Sequence, residues 1–223
     1  MSWNKVAALA VIIGLGFMTQ AARADDIGAT ISEKFSGWTT HQVINGDLDG
    51  DGKPDVAAIL SKPPEGDDDK GQALLVVFLA DGKGGYALNT QSEKAICVGC
   101  GGPKAAFGEP LGELSIAKGL LHITYEGGSR DAFDDEVKWR LDKASHKLLL
   151  IGEMYRGTDT LGDDPDTVLD INYLTLKAEK AVGKKKHPCA VAAEFKPVEL
   201  SAFDYDGKHI DDIEKITEAC DKK

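Results

Sequence analysis

Short extended segments cut by glycine dominate the chain from Trp38 onward, and so many interruptions leave no room for a bundle of long helices. Trp38–Ile44 and Asp55–Leu60 come first, the second rich in Val, Ile and Ala. Ala73–Leu79 is a continuous apolar run bounded by Gly71 and Asp81-Gly82, and with Gly85–Leu88 beyond a Gly-Lys-Gly-Gly turn it reads as a hairpin. Glu113–Ile116 and Leu120–Tyr125 flank Lys118-Gly119 as a second hairpin. Val137–Leu141 and Lys147–Tyr155 flank Lys143–His146 as a third. Thr167–Lys177 adds one more strand, with alternation at Val168, Asp170 and Asn172. Hairpins at this spacing predict a mainly β fold, its antiparallel hairpins forming a sandwich or an incomplete propeller-like sheet. Only His209–Ala219 has helical spacing, with Ile210, Ile213 and Ile216 three apart and acids early, so a short C-terminal helix is expected. Lys62–Gly71 has the composition of a solvated loop, and Gly183–Pro188, with three successive lysines, reads as an exposed connection.

The N-terminus carries one early positive charge, Lys5, then an apolar run from Val6 to Met18. That run falls short of the roughly 20 apolar residues a membrane span needs. Ala22-Arg23-Ala24 places small residues where a signal peptidase reads them, so residues 1–24 are expected to be a signal peptide cut before Asp25. No cysteine follows the run closely, which excludes the lipoprotein form of the signal. The expected organisation is a leader at 1–24, a β-rich domain at 25–188 and a C-terminal tail at 189–223, in a periplasmic or secreted protein without membrane insertion after processing. The chain has 26 basic and 37 acidic residues, a net charge of −11, and loss of Lys5 and Arg23 with the leader takes it to about −13. Such a surface repels nucleic acid and anionic lipid, and favours cations, a basic protein or an envelope component as partners.

Cys97, Cys100, Cys189 and Cys220 all lie beyond the leader, and an exported chain with an even cysteine count usually pairs them. Three connectivities are open; Cys97–Cys100 with Cys189–Cys220 keeps each bridge local to one region. The second bridge would staple the tail to the body, contributing about 3 kcal/mol by restricting the unfolded chain. A C-x-x-C pair also invites a thiol–disulfide exchange reading. Gly99, Gly101, Gly102 and Pro103 oppose the helix start that lowers a thiol pKa, so a structural bridge is expected. No histidine follows Cys100, which excludes haem attachment, and an oxidising compartment disfavours zinc on the four thiols.

Asp47-Leu48-Asp49-Gly50-Asp51-Gly52-Lys53-Pro54-Asp55 is the stretch that carries most chemistry. A hard cation such as calcium takes six to eight oxygens near ~2.4 Å, and carboxylates on alternate residues of a curled loop can converge on one point. Asp47, Asp49 and Asp51 have that spacing. Gly52 suits the sharp turn, the Lys53 carbonyl offers a fourth oxygen, and Asp55 a fifth directly or through water. The first nine positions match the calcium loop of EF-hands, but position twelve is Ala58 rather than a bidentate glutamate, and the flanks read as strands. Without that glutamate the expected affinity is weak, on the order of 10⁻⁴ to 10⁻³ M.

Gly46–Ala57 resembles instead the strand-flanked Asp-x-Asp-x-Asp-Gly loop of FG-GAP and VCBS-type repeat proteins, and the resemblance implies calcium held between two strands. The motif occurs once, with a partial echo at Asp204–Asp211. The wider chain is similar to a group of exported bacterial proteins with a single loop of this kind, on Gly46–Ala57, Gly119–Gly128, Trp139–Gly152 and Asn172–Leu176.

Other candidates are weaker. Histidines 41, 122, 146, 187 and 209 show no ligand spacing, and Ser129 lies outside any G-x-S-x-G nucleophile motif. Asp163-Asp164-Pro165-Asp166 reads as an acidic loop with a second cation site as a minor reading. The expectation is a non-catalytic, calcium-stabilised binding protein of the cell envelope. The alternatives are a metal-dependent hydrolase of envelope polymers and a thiol–disulfide protein using Cys97 and Cys100.

Overall fold

The computed structural model describes residues 21–66, 69–101 and 109–222, so all but the end of the predicted leader lies outside the described residues, as do Gly102 and Pro103. The fold is mainly β and antiparallel throughout, and no barrel closes among the described residues.

Helix α1 (Ala21–Lys34) comes first and begins upstream of Asp25. It was not expected, although Ile27, Ile31 and Phe35 repeat every fourth residue. Those three and Trp38 cover one face of a four-stranded sheet made of β1 (Thr39–Gly46), β2 (Asp55–Lys62), β3 (Gln72–Ala80) and β4 (Tyr86–Ser92), in that order. The apolar runs in β2 and β3 are continuous because both faces of these central strands are covered. Val56, Ala58 and Leu60 with Leu74, Val76 and Phe78 face α1, while Ala57 and Ile59 with Ala73, Leu75 and Val77 face the main core.

A two-stranded ribbon, β5 (Cys97–Val98) with β6 (Pro110–Leu111), leads to a seven-stranded meander. Its strands are β7 (Glu113–Ala117), β8 (Leu120–Gly128), β9 (Asp131–Leu141), β10 (Leu148–Asp159), β11 (Thr167–Asn172), β12 (Lys177–Val182) and β13 (Lys185–Ala190). Two expectations need correction here. Thr167–Lys177 is not one strand, because Asn172 accepts hydrogen bonds from the Leu174 and Thr175 amides and turns the chain, ending with Leu176 left-handed at φ 52°. Nor is Gly183–Pro188 a connection, because β13 runs through it, paired with β12 from Val182–Lys185 to Lys177–Ala190.

The two large sheets meet where β1 passes β7. The Gln42 side chain accepts from the Leu114 amide at 2.9 Å and donates to its carbonyl at 3.4 Å. Gly46 lies so close that a Cβ there would stand 2.4 Å from Ile116 Cγ2. Between the sheets, Leu121, Ile123, Tyr125, Val137, Trp139, Leu148, Leu150, Leu169 and Ile171 join the inner residues of β2 and β3 in one core. Full burial of each aliphatic residue in that core is worth roughly 1.5 to 3 kcal/mol.

The residues after β13 belong to that same core. Phe203 sets its edge against Trp139 with centroids 4.9 Å apart, and Tyr205 stacks on Tyr125 at 3.6 Å. A five-residue π turn, Tyr205–His209, feeds helix α2 (Ile210–Asp221), which buries Ile213, Ile216 and Cys220. Disulfides join Cys97 to Cys100 and Cys189 to Cys220, the pairing expected from locality.

Candidate functional site

The register of β1 against β2 pairs Gly46 with Asp55, so residues 47–54 must reverse the chain. Gly50 and Gly52 take φ of 82° and 81°, left-handed values that residues with a Cβ adopt at a cost. Asp47 accepts from the Gly50 amide at 2.7 Å and the Gly52 amide at 3.0 Å, Asp49 from the Asp51 amide at 2.9 Å, and Asp51 from the Lys53 amide at 2.7 Å. These bonds curl the loop and bring one oxygen each of Asp47, Asp49 and Asp51 within 4.8 Å of one another. A calcium shell with bonds near 2.4 Å spans about 4.8 Å, so the three carboxylates have the separation and the all-oxygen chemistry such an ion takes.

Asp55 does something else. It is fully buried, with Oδ2 accepting from the Leu48 amide at 2.7 Å and the Asp49 amide at 3.3 Å, and Oδ1 from the Ala80 amide at 2.9 Å. Burial pushes its carboxyl above the usual carboxylate range despite those amides. The structure therefore brings Asp47, Asp49 and Asp51 together and uses Asp55 to pin the loop to the end of β3. Lys53 sets its ammonium 2.6 Å from Asp51 Oδ2, a hydrogen bond that holds the Asp51 carboxyl below its ordinary value.

A second group of polar side chains lies where sequence reasoning placed nothing. In β10 the pairing with β9 runs Leu150–Trp139 and then Gly152–Lys138, so Ile151 bulges and the inward positions shift from 148 and 150 to 153. Glu153 is thereby turned into the core, 1% exposed, beside Asp135 of β9, which is fully buried. His209, at the end of the π turn, completes the group: its Nε2 stands 3.1 Å from Glu153 Oε1, and the Tyr173 hydroxyl donates to Glu153 Oε2 at 2.5 Å. Asp135, Glu153 and His209 each offer a ligand atom within 4.8 Å of the others. By strict donor–acceptor geometry neither Asp135 oxygen nor the buried Tyr205 hydroxyl has a hydrogen-bond partner among the described residues, although Glu153 and the Tyr205 hydroxyl both lie close enough to Asp135 to interact with it.

Burial, then the charge of Glu153, raises the Asp135 carboxyl well above the usual carboxylate range. Tyr125, Tyr173 and Tyr205 are likewise pushed up, by burial first and by these carboxylates second. His209 and Tyr173 help to line a cavity of about 270 Å³ together with Leu150, Phe195, Phe203 and Lys208.

The remaining candidates are accounted for by local structure. Cys97 and Cys100 approach Asp206, but both sulfurs are committed to their bond. The Ser129 carbonyl accepts from the Thr160 hydroxyl in the β8–β9 turn. Asp163, Asp164 and Asp166 are exposed. His122 lies 2.8 Å from Glu136. The chain matches no protein-family model, no curated protein and no solved structure.

Proposed function

We propose that this protein is an exported, calcium-stabilised binding protein of the cell envelope, with Asp47, Asp49 and Asp51 as the side-chain ligands of one structural calcium. The observation that carries the reading is the convergence of those three carboxylates in a loop held between β1 and β2 by the buried Asp55. Four acids in nine residues repel one another without a cation, and a bound ion removes that repulsion. The likeness of Gly46–Ala57 to the calcium loop of FG-GAP and VCBS-type proteins supports the same ion. Export is supported by the leader-like N-terminus and by two closed disulfides. The negative balance of the chain favours a basic protein or envelope component as the bound partner.

The experiment is calcium titration by calorimetry and thermal melting, repeated on a variant with Asp47, Asp49 and Asp51 all changed to Ala. Saturable binding that the variant loses supports the reading, and equal responses of the two proteins overturn it. The partner is sought by pulldown from the cell envelope with and without calcium; recovery of no specific basic component in either condition removes the binding half of the proposal.

Metal-dependent hydrolysis of envelope polymers is the second reading. One observation favours it: Asp135, Glu153 and His209 form a buried group, and His209 lines a cavity of about 270 Å³. Thiol–disulfide exchange lacks comparable support, since Cys97 lies in the two-residue strand β5 and not at the helix N-terminus that activates such a thiol.

A further inference from the structure

We infer that Asp135, Glu153 and His209 form a second metal site, distinct from the acidic loop, that holds a divalent first-row transition metal ion in the core beneath the His209 cavity.

The Asp135 carboxyl is completely buried, and neither of its oxygens has a partner within strict hydrogen-bond geometry among the described residues. Adding a proton removes the charge but does not solve this, because a carboxylic acid still needs an acceptor for its O–H and a donor to its other oxygen. Glu153 already accepts from the Tyr173 hydroxyl at 2.5 Å and has His209 Nε2 3.1 Å from its other oxygen; its remaining lone pairs could take an Asp135 O–H, but no such bond closes by donor–acceptor geometry. The Tyr205 hydroxyl, 2% exposed as a residue, lies beside the same carboxyl and has no partner within strict hydrogen-bond geometry. The buried carboxylates of Asp135 and Glu153, the His209 ring and the Tyr205 hydroxyl thus gather at one place.

A metal ion among them would be bound by both carboxylates and by the His209 nitrogen. Ligand atoms bonded to a metal at about 2.0–2.2 Å stand about 2.8 to 3.6 Å apart at adjacent positions, from octahedral to tetrahedral, and the Glu153 to His209 separation is 3.1 Å. Tyr173 then keeps its place as the outer hydrogen bond that orients a ligating carboxylate. The donor set chooses the ion. An imidazole nitrogen with two carboxylate oxygens suits zinc, manganese or iron(II), whereas calcium prefers oxygen alone. An entry path exists, because His209 and Tyr173 form part of the wall of the cavity. The local chain supports the arrangement: the bulge at Ile151 turns Glu153 inward, and the π turn delivers His209.

The test is a Co²⁺ titration of the tag-free protein in millimolar Ca²⁺, which occupies the acidic loop, read by visible absorption and by proton NMR. The expected result is one Co²⁺ per chain, a paramagnetically shifted imidazole resonance, and displacement by stoichiometric Zn²⁺. Asp135→Asn keeps the shape of the side chain and is expected to weaken binding about a hundredfold, while His209→Gln removes the shifted resonance. Should either variant fail to fold, the shifted imidazole resonance of the unaltered protein decides alone. No bound Co²⁺ in the presence of calcium, bound Co²⁺ without an imidazole signal, or unchanged affinity in folded Asp135→Asn overturns the proposal. Because the shifted imidazole resonance reports a histidine ligand, which the acidic loop lacks, this result is independent of whether the loop binds calcium.

Discussion

Lys94 Nζ stands 2.6 Å from Asp204 Oδ2, and one residue on the Tyr205 amide donates to the Lys94 carbonyl at 3.0 Å. This pair fastens the segment that carries Tyr205 and His209 to the end of the first sheet. Asp204 also accepts from the Gly207 amide at 3.1 Å, opening the π turn.

The hydrogen bond from Lys94 holds the Asp204 carboxyl below its ordinary value, although partial burial works the other way. A depressed folded pKa means stability that is present above the unfolded pKa, near 3.9, and lost as pH falls through the folded pKa. Asp204→Ala is therefore expected to cost about 1 kcal/mol at neutral pH, and the difference from the unaltered protein should shrink as pH falls through the depressed folded value. Urea melts of both proteins across that range check the sign. Asp55, whose carboxyl is raised by burial, acts oppositely: its contribution is full below the unfolded pKa and declines as pH rises through the folded one.

Asp55 accepts from the amides of Leu48, Asp49 and Ala80 inside the fold. Asp55→Ala leaves all three donors unpaired, and we expect a loss of about 3 kcal/mol. The same loss should appear with the calcium chelated, because the role of Asp55 is to anchor the loop. Denaturant midpoints in EDTA and in calcium measure it.

The bridge between Cys189 and Cys220 closes a loop with a sequence separation of 31 and ties the last turn of α2 to β13. The double replacement by serine is expected to lower stability by about 3 kcal/mol. Hydrogen exchange should then rise first in α2, while the amides of β2 and β3 stay protected.

Gly128 has φ of 86°, and a Cβ there would meet the Asp131 carbonyl oxygen at 2.1 Å. Gly128→Ala forces the β8–β9 turn apart and should cost about 2 kcal/mol or more. Thermal melting of the variant tests this, with Gly84→Ala, which meets no neighbouring atom, as the comparison for strain alone.

The strands were legible where apolar periodicity met turn residues, as in Ala73–Leu79 against Asp81–Gly85 and around Lys118-Gly119. Local pairing of the four cysteines was legible for the same reason, since each pair sits within one region. Helix α1 was missed because its apolar stripe of Ile27, Ile31 and Phe35 lies against the apparent cleavage point, where the chain reads as a leader's edge. Within the loop, spacing marked five donors but could not separate their roles: Asp55 turns inward only because the Leu48, Asp49 and Ala80 amides meet it there. The Asp135, Glu153 and His209 group was invisible for a different reason. Strict alternation from Leu148 and Leu150 sends Glu153 to solvent, and one extra residue at Ile151 reverses it. His209 arrives from far along the chain, so no spacing announces the contact.

Calcium binding by the loop is tested most directly by isothermal calorimetry on the chain from Asp25 onward. The account predicts one site per chain with a dissociation constant on the order of 10⁻⁴ to 10⁻³ M, a thermal midpoint that rises with calcium, and loss of both in the Asp47, Asp49, Asp51 to Ala variant. No heat and no shift up to several millimolar calcium would contradict it, and Asp47–Asp55 would then be an acidic turn pinned by Asp55.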